Sequence, residues 1–252
     1  MMAGAEAIYT LWLREMKWFL RARARIAQTI FQPFLWLAII GIGMESAFKF
    51  PGNFSYIQFL APGVIGMSLI FSSTMGGVSI LWDKQFGFMK EVLVSPVSRT
   101  HIMIGKALGT TTVSIIQGLL LVLAAGILGV WPPSIFAFLQ MLLLMLLISL
   151  GFVSVGLIIA SKLEDPIAFP VIVNFLIMPL FFLSGAFFPL ANAPWWMKAI
   201  GYVNPLAYGV DGLRNAMLGT SEHPLGVDAG VLCLFSFCMI LLGSYFFQKM
   251  KA

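Results

Sequence analysis

Charge is what this sequence has least of. Only 10% of its 252 residues are charged and 60% are hydrophobic, whereas roughly a quarter of a soluble domain is charged. A water-soluble globule is therefore excluded. The two cysteines, Cys233 and Cys238, lie five apart in one apolar stretch. That spacing rules out a CxxC redox pair, and they read as small apolar residues without a disulfide. The two histidines, His101 and His223, fall on opposite sides of the membrane arrangement set out below, so they do not share a metal. No GxxxxGK[ST] phosphate loop is present, since Gly105-Lys106 is followed by Ala107 and lacks the spaced upstream glycine. A GxSxG elbow and an HExxH helix are missing as well. The sequence predicts no catalytic residue, no cofactor and no metal on this chain.

What is there is long apolar runs. Uncharged gaps of 19, 33, 55, 32 and 20 residues follow Arg25, Lys49, Lys106, Asp165 and Asp228, and about 20 apolar residues cross a bilayer core. The longest gap would make a helix of roughly 80 Å, and Trp131-Pro132-Pro133 divides it in two. We read an all-α membrane protein, a single transmembrane domain over 1–252, with six transmembrane helices near 26–48, 56–81, 106–130, 135–160, 168–189 and 228–247. A cleavable signal peptide is a poor reading of the first span, because a long charged segment precedes it.

Twelve of the 15 Lys and Arg residues then share a side with both termini, leaving Lys49, Lys198 and Arg214 on the other. Positive charge is retained in the cytoplasm, so both ends are expected there, in a plasma or inner membrane. The net charge of +5 reads as topology and contact with membrane lipids, not nucleic acid.

Three connections stand out. Residues 5–25 suit an amphipathic helix in the cytoplasmic interface, with Arg14, Lys17, Arg21 and Arg25 in one stripe and Trp12, Met16, Phe19 and Leu20 largely opposite; the plainer alternative is a topology anchor alone. In the loop 82–105, residues 83–94 suit three helical turns before Ser95-Pro96 stops them. Their exposed apolar residues, Phe86, Met89 and Leu93 among them, need lipid, helix ends or a soluble partner. In the connection 190–227, only 12 uncharged residues separate Lys198 from Asp211 and Asn204-Pro205 breaks the stretch. A helix, a turn and a helix that dip into the outer leaflet fit this pattern, beside the plainer reading of an interfacial aromatic belt.

Glu45 is the ionisable exception within the spans, which argues against a carrier driven by protons or sodium. Gln32, Gln58, Gln117, Gln140 and Asn174 suit helix-to-helix contacts. The glycine pairs Gly105/Gly109 and Gly151/Gly156 permit close approach, within one chain or between two.

Two stretches carry a family resemblance. One is Phe86-Gly87 through Glu91, Ser95-Pro96-Val97-Ser98-Arg99 and Gly105-Lys106. The other is Phe188-Pro189, Pro194-Trp195, Asn204-Pro205-Leu206-Ala207-Tyr208, Asp211 and Arg214. In this order relative to six spans, the chain resembles the permease subunits of type-2 ABC exporters, which include drug-resistance, polysaccharide-export and nodulation-factor permeases. Ala207 departs from the family's usual NPLTY and removes one hydroxyl.

The resemblance implies the membrane subunit of an ATP-driven exporter, not itself an enzyme, forming half of a substrate pathway. It implies a second permease, as a homodimer, and two copies of a separate ATPase that holds ATP and magnesium. Arg14, Lys17, Arg21 and Arg25 would lie on its interface helix. Phe86, Gly87, Met89, Lys90, Glu91, Leu93, Pro96 and Arg99 would belong to the cytoplasmic coupling helix and its loop. Asn204, Pro205, Tyr208, Asp211 and Arg214 would hold an outer gate on an extracellular re-entrant hairpin. The alternative is a secondary carrier or channel that works without an ATPase.

Overall fold

The computed structural model describes residues 2–45, 54–88 and 97–250; the side chains of 2, 3, 23–25, 28, 29 and 192 lie outside that description. The described residues are helical, with no strand among them. In chain order the α-helices are α1 (Met2–Arg21), α2 (Arg23–Met44), α3 (Tyr56–Met75), α4 (Val78–Gln85), α5 (Arg99–Ile127), α6 (Ile135–Lys162), α7 (Ala168–Phe182), α8 (Trp195–Val203), α9 (Pro205–Leu218) and α10 (Leu225–Gln248). A short 3-10 turn, Leu190–Asn192, precedes α8.

The caps set where the long helices begin. Ser55 and Gln58 form a reciprocal capping box at the start of α3, and Glu45 accepts the Tyr56 backbone N–H at 2.8 Å. The one carboxylate expected inside a span thus satisfies a helix end. Ser98 and Ser134 cap α5 and α6 through the N–H groups of His101 and Ala137.

The core lies along α3, which packs on α2, α5, α6 and α9 and buries Leu60, Ile65, Leu69 and Ile70 completely. Close approach is built from glycine. A Cβ on Gly156 of α6 would sit 2.2 Å from the Thr74 carbonyl oxygen, and one on Gly77 would sit 2.4 Å from the Gly156 carbonyl. The α3–α4 junction and α6 therefore touch backbone to backbone. Polar side chains stitch the remaining pairs, Ser114 to Ser72 at 3.0 Å and Ser236 to the Leu147 carbonyl at 2.7 Å.

Four helical stretches are long and apolar enough to cross a membrane: Tyr56–Gln85, Arg99–Ile127, Ile135–Lys162 and Leu225–Gln248. Of the other two expected spans, α2 runs Arg23–Met44, 22 residues, about 33 Å at 1.5 Å per residue, while α7 has only 15, about 22 Å against a core near 30 Å. After Phe182 the chain turns, with Gly185 left-handed at φ 75°, a conformation glycine reaches without penalty. Counting uncharged residues cannot see that turn.

Two further expectations change. The helix expected over 83–94 does not start at Asp83, which belongs to the last turn of α4; Gly87, at φ 78°, interrupts it. And α1 lies against α5 and not simply on lipid, because Gly105 and Gly109 let it approach: a Cβ on Gly105 would meet Leu11 Cβ at 2.9 Å, and one on Gly109 would meet Glu15 Cβ at 2.7 Å. Leu11, Met16 and Phe19 are buried there, while Leu20 is exposed.

Candidate functional site

Contacts of Gly4 with His101, Lys84 with Ala160 and Arg99 with Gln248 bring the ends of α4, α6 and α10 and the starts of α1 and α5 to the loop 82–105, at one end of the bundle. Among them is a cluster of four charges. Lys106, only 2% exposed in α5, lies 2.5 Å from an Asp83 carboxylate oxygen of α4 and 3.6 Å from Glu15 of α1, and donates to Ser79 Oγ at 3.3 Å. Arg14 engages both Asp83 oxygens, one at 3.1 Å. Burial alone would lower the Arg14 pKa, but its hydrogen bond and charge contact with Asp83 leave it raised. Glu15, Asp83 and Lys106 are buried while the Arg14 side chain is 40% exposed, and two cations balance two carboxylates, the condition for keeping the buried ions out of water.

This cluster ties α1, α4 and α5 into one body at the root of the loop. Arg14 was expected among lipid headgroups, but Asp83 draws it inward; Lys17 and Arg21 are exposed, and the side chain of Arg25 lies outside the described residues. Lys84 fastens α4 to the end of α6, donating to the Ala160 and Leu163 carbonyls at 3.3 Å each. Arg99 donates to the carbonyls of Gln248 and Met250 at 2.7 and 2.8 Å, closing the C-terminal end of α10.

Where the loop leaves this body, two aromatic side chains face outward. Phe86 is 78% exposed and stacks on Trp82 at 5.7 Å, and Arg14 lies over the Phe88 ring at 4.2 Å. Gly87 makes the turn. Met89, Lys90, Glu91, Leu93 and Pro96 lie outside the described residues.

At the opposite end, α8 and α9 form the expected pair of short helices. Asn204 ends α8 and caps α9 through the Leu206 N–H at 3.0 Å, while its own amide donates to the Leu180 carbonyl at 2.6 Å. Pro205 takes the first position of α9, where a missing N–H costs nothing. Tyr208 donates to the Tyr202 carbonyl at 2.9 Å and packs on His223, ring centroids 5.3 Å apart.

Asp211 and Arg214 form a second buried group. Asp211 accepts the backbone N–H groups of Glu222 and His223 at 2.9–3.0 Å and lies 3.9 Å from Arg214. Arg214 donates to the Gly185 carbonyl at 2.9 Å and stacks 4.0 Å over Phe59. Burial pulls its guanidinium down to about 10, with Asp211 and Glu222 opposing, so it remains a cation at neutral pH. Asn204 and Tyr208 make separate contacts on the same element. The sequence reading missed Glu15, Asp83, Lys106 and Asp228 as buried charges; the only hint was the Gly105/Gly109 pair beside Lys106.

The family model described as ABC-2 type transporter matches residues 6–218, from α1 through α9. The chain belongs to the ABC-2 type transporter family. Among its relatives, the transport permease ycf38 of Porphyra purpurea is 32% identical over 229 residues, covering 88% of this chain and 79% of that protein. The inner membrane transport permease YadH of Escherichia coli strain K12 is 29% identical over 246 residues, 94% of this chain and 92% of the relative. Nodulation protein J of Rhizobium leguminosarum bv. viciae is 26% identical over 238 residues, 92% and 90% of the two chains. The chain is thus a multi-pass membrane protein of a transport permease family, and the matched span of this ABC-2 chain contains both charged groups described above.

Proposed function

We propose that this permease is the membrane half of an ATP-driven exporter, working as two copies with two separate ATPase subunits, with both termini cytoplasmic. In this reading six segments reach through the bilayer, α7 doing so together with the chain that follows it, and α8 and α9 form a re-entrant outer cap. Three sequence features support the orientation and the division of labour: twelve of 15 basic residues on one side, no phosphate loop, and spans poor in ionisable groups.

The observation that carries the reading is the charge cluster of Arg14, Glu15, Asp83 and Lys106 at the root of a loop that begins with the exposed Phe86. An ATPase pushing on Phe86 and the residues after it would move α4, and α4 cannot move without α1 and α5. Packed helices with two arrangements answer such a push as units. The chain does no bond chemistry in this scheme. ATP and magnesium sit on the partner, and the Asp211–Arg214 group with Asn204, Pro205 and Tyr208 closes the far end until α9 is displaced.

The test is co-purification from the native membrane. Phe86→Asp puts a charge on the exposed apolar contact, so the variant should insert and fold as wild type while the ATPase recovered with it falls at least tenfold. An unchanged ATPase yield would overturn the coupling assignment.

A further inference from the structure

Asp228 stands in the first turn of α10 and is completely buried, yet neither of its carboxylate oxygens has a hydrogen-bond partner among the described residues. A carboxylate in that state is costly unless something positive meets it. It faces two other potential ligands: one oxygen of Asp211, a ring nitrogen of His223 and one oxygen of Asp228 all lie within 4.8 Å of one another. No bond of the nearby fixed cation reaches Asp228, since Arg214 donates to Gly185, stacks on Phe59 and lies 3.9 Å from Asp211.

We propose that Asp211, His223 and Asp228 bind one divalent transition-metal ion of the zinc class, clipping α9 to α10 across the turn 219–224. Two carboxylate oxygens and one imidazole suit such an ion, with water in the fourth position. In a tetrahedral site with bonds of about 2.0–2.2 Å the ligand atoms are roughly 3.4 Å apart, so the three side chains need only close inward. The supporting shell is already in place. Backbone N–H groups of Glu222 and His223 hold Asp211 at 2.9–3.0 Å, and Tyr208 and Tyr202 pack the His223 ring at 5.3 and 6.3 Å. A dication also balances the surplus of Asp211, Glu222 and Asp228 over Arg214. The site does not depend on the exporter reading.

The experiment uses the full-length permease, purified with chelator, desalted and titrated with zinc chloride. The expected result is one zinc retained per chain and a higher unfolding temperature that EDTA reverses. Loss of an outer-shell partner alone weakens metal binding about 10–100-fold, so His223→Ala and Asp228→Asn should each weaken zinc binding at least tenfold, while His101→Ala should not. His223 is part-exposed, so its replacement tests the ligand without emptying the core. Zinc uptake unchanged in His223→Ala overturns the site. No uptake at all, with Asp228→Asn merely more stable than wild type, also overturns it and assigns the two carboxylates a shared proton.

Discussion

Lys106 has three oxygen partners within 3.6 Å, and Asp83 supplies the nearest of them while also holding Arg14. Removing a partner from a buried pair strands the other charge, at a cost of about 3–5 kcal/mol. Asp83→Ala should therefore destabilise the protein by about that amount, measured by denaturant unfolding in mixed micelles. Adding Lys106→Met should recover part of the loss, because no stranded ammonium remains. Equal, additive losses would show that the two residues do not act as a pair. At the far end Arg214 works through its plane, lying 4.0 Å over Phe59 while donating to Gly185. Lysine keeps the charge but not the fork, so Arg214→Lys should cost about 1–2 kcal/mol in the same assay.

At the scale of elements, two glycine contacts differ in what they meet. A Cβ on Gly109 would meet Glu15 Cβ at 2.7 Å, whereas one on Gly156 would reach the Thr74 carbonyl oxygen at 2.2 Å. Neither atom moves with a side-chain rotation, so the first clash shifts the outlying helix α1 and the second shifts the central pair of α3 and α6. Gly109→Ala should loosen α1 alone, seen as faster hydrogen exchange there, while Gly156→Ala should lower the stability of the whole bundle by about 1–3 kcal/mol or more. Which elements the sequence announces follows from the same distinction between local and distant causes. The break at Asn204-Pro205 was legible, because a cap and a proline act locally. The hydrophobic runs that became α3, α5, α6 and α10 were legible from length alone. Left-handed turns at Gly87 and Gly185 were not, since a glycine does not declare its φ. Asp228 read as the boundary of a span, and its burial is imposed by α9, which the sequence could not place against it. The Gly105/Gly109 pair signalled a close contact, but only the fold shows that α1 fills it.

For the whole molecule, lipid-facing surface and partner surface have to be told apart. Phe31, Ile39, Val171 and Phe175 on α2 and α7 are all more than 60% exposed, and a cavity of about 540 Å³ opens at Ile39, lined also by Trp36, Ile40, Tyr56, Phe182 and Phe187. In the proposed pair of permeases, α7, at 15 residues too short to cross unaided, gains most from a second copy, so the two copies should meet along α7 and its neighbour α2. Cysteines at Phe31 or Phe175 should cross-link between copies in native membranes, whereas cysteines at Leu241 of α10, also exposed, should not. Native mass spectrometry of the complex drawn from the membrane tests the central claim most directly. The expected mass is twice 27.7 kDa plus two phosphate-loop ATPase subunits. A species built of 27.7 kDa chains alone, moving cargo on an ion gradient without ATP, would contradict it.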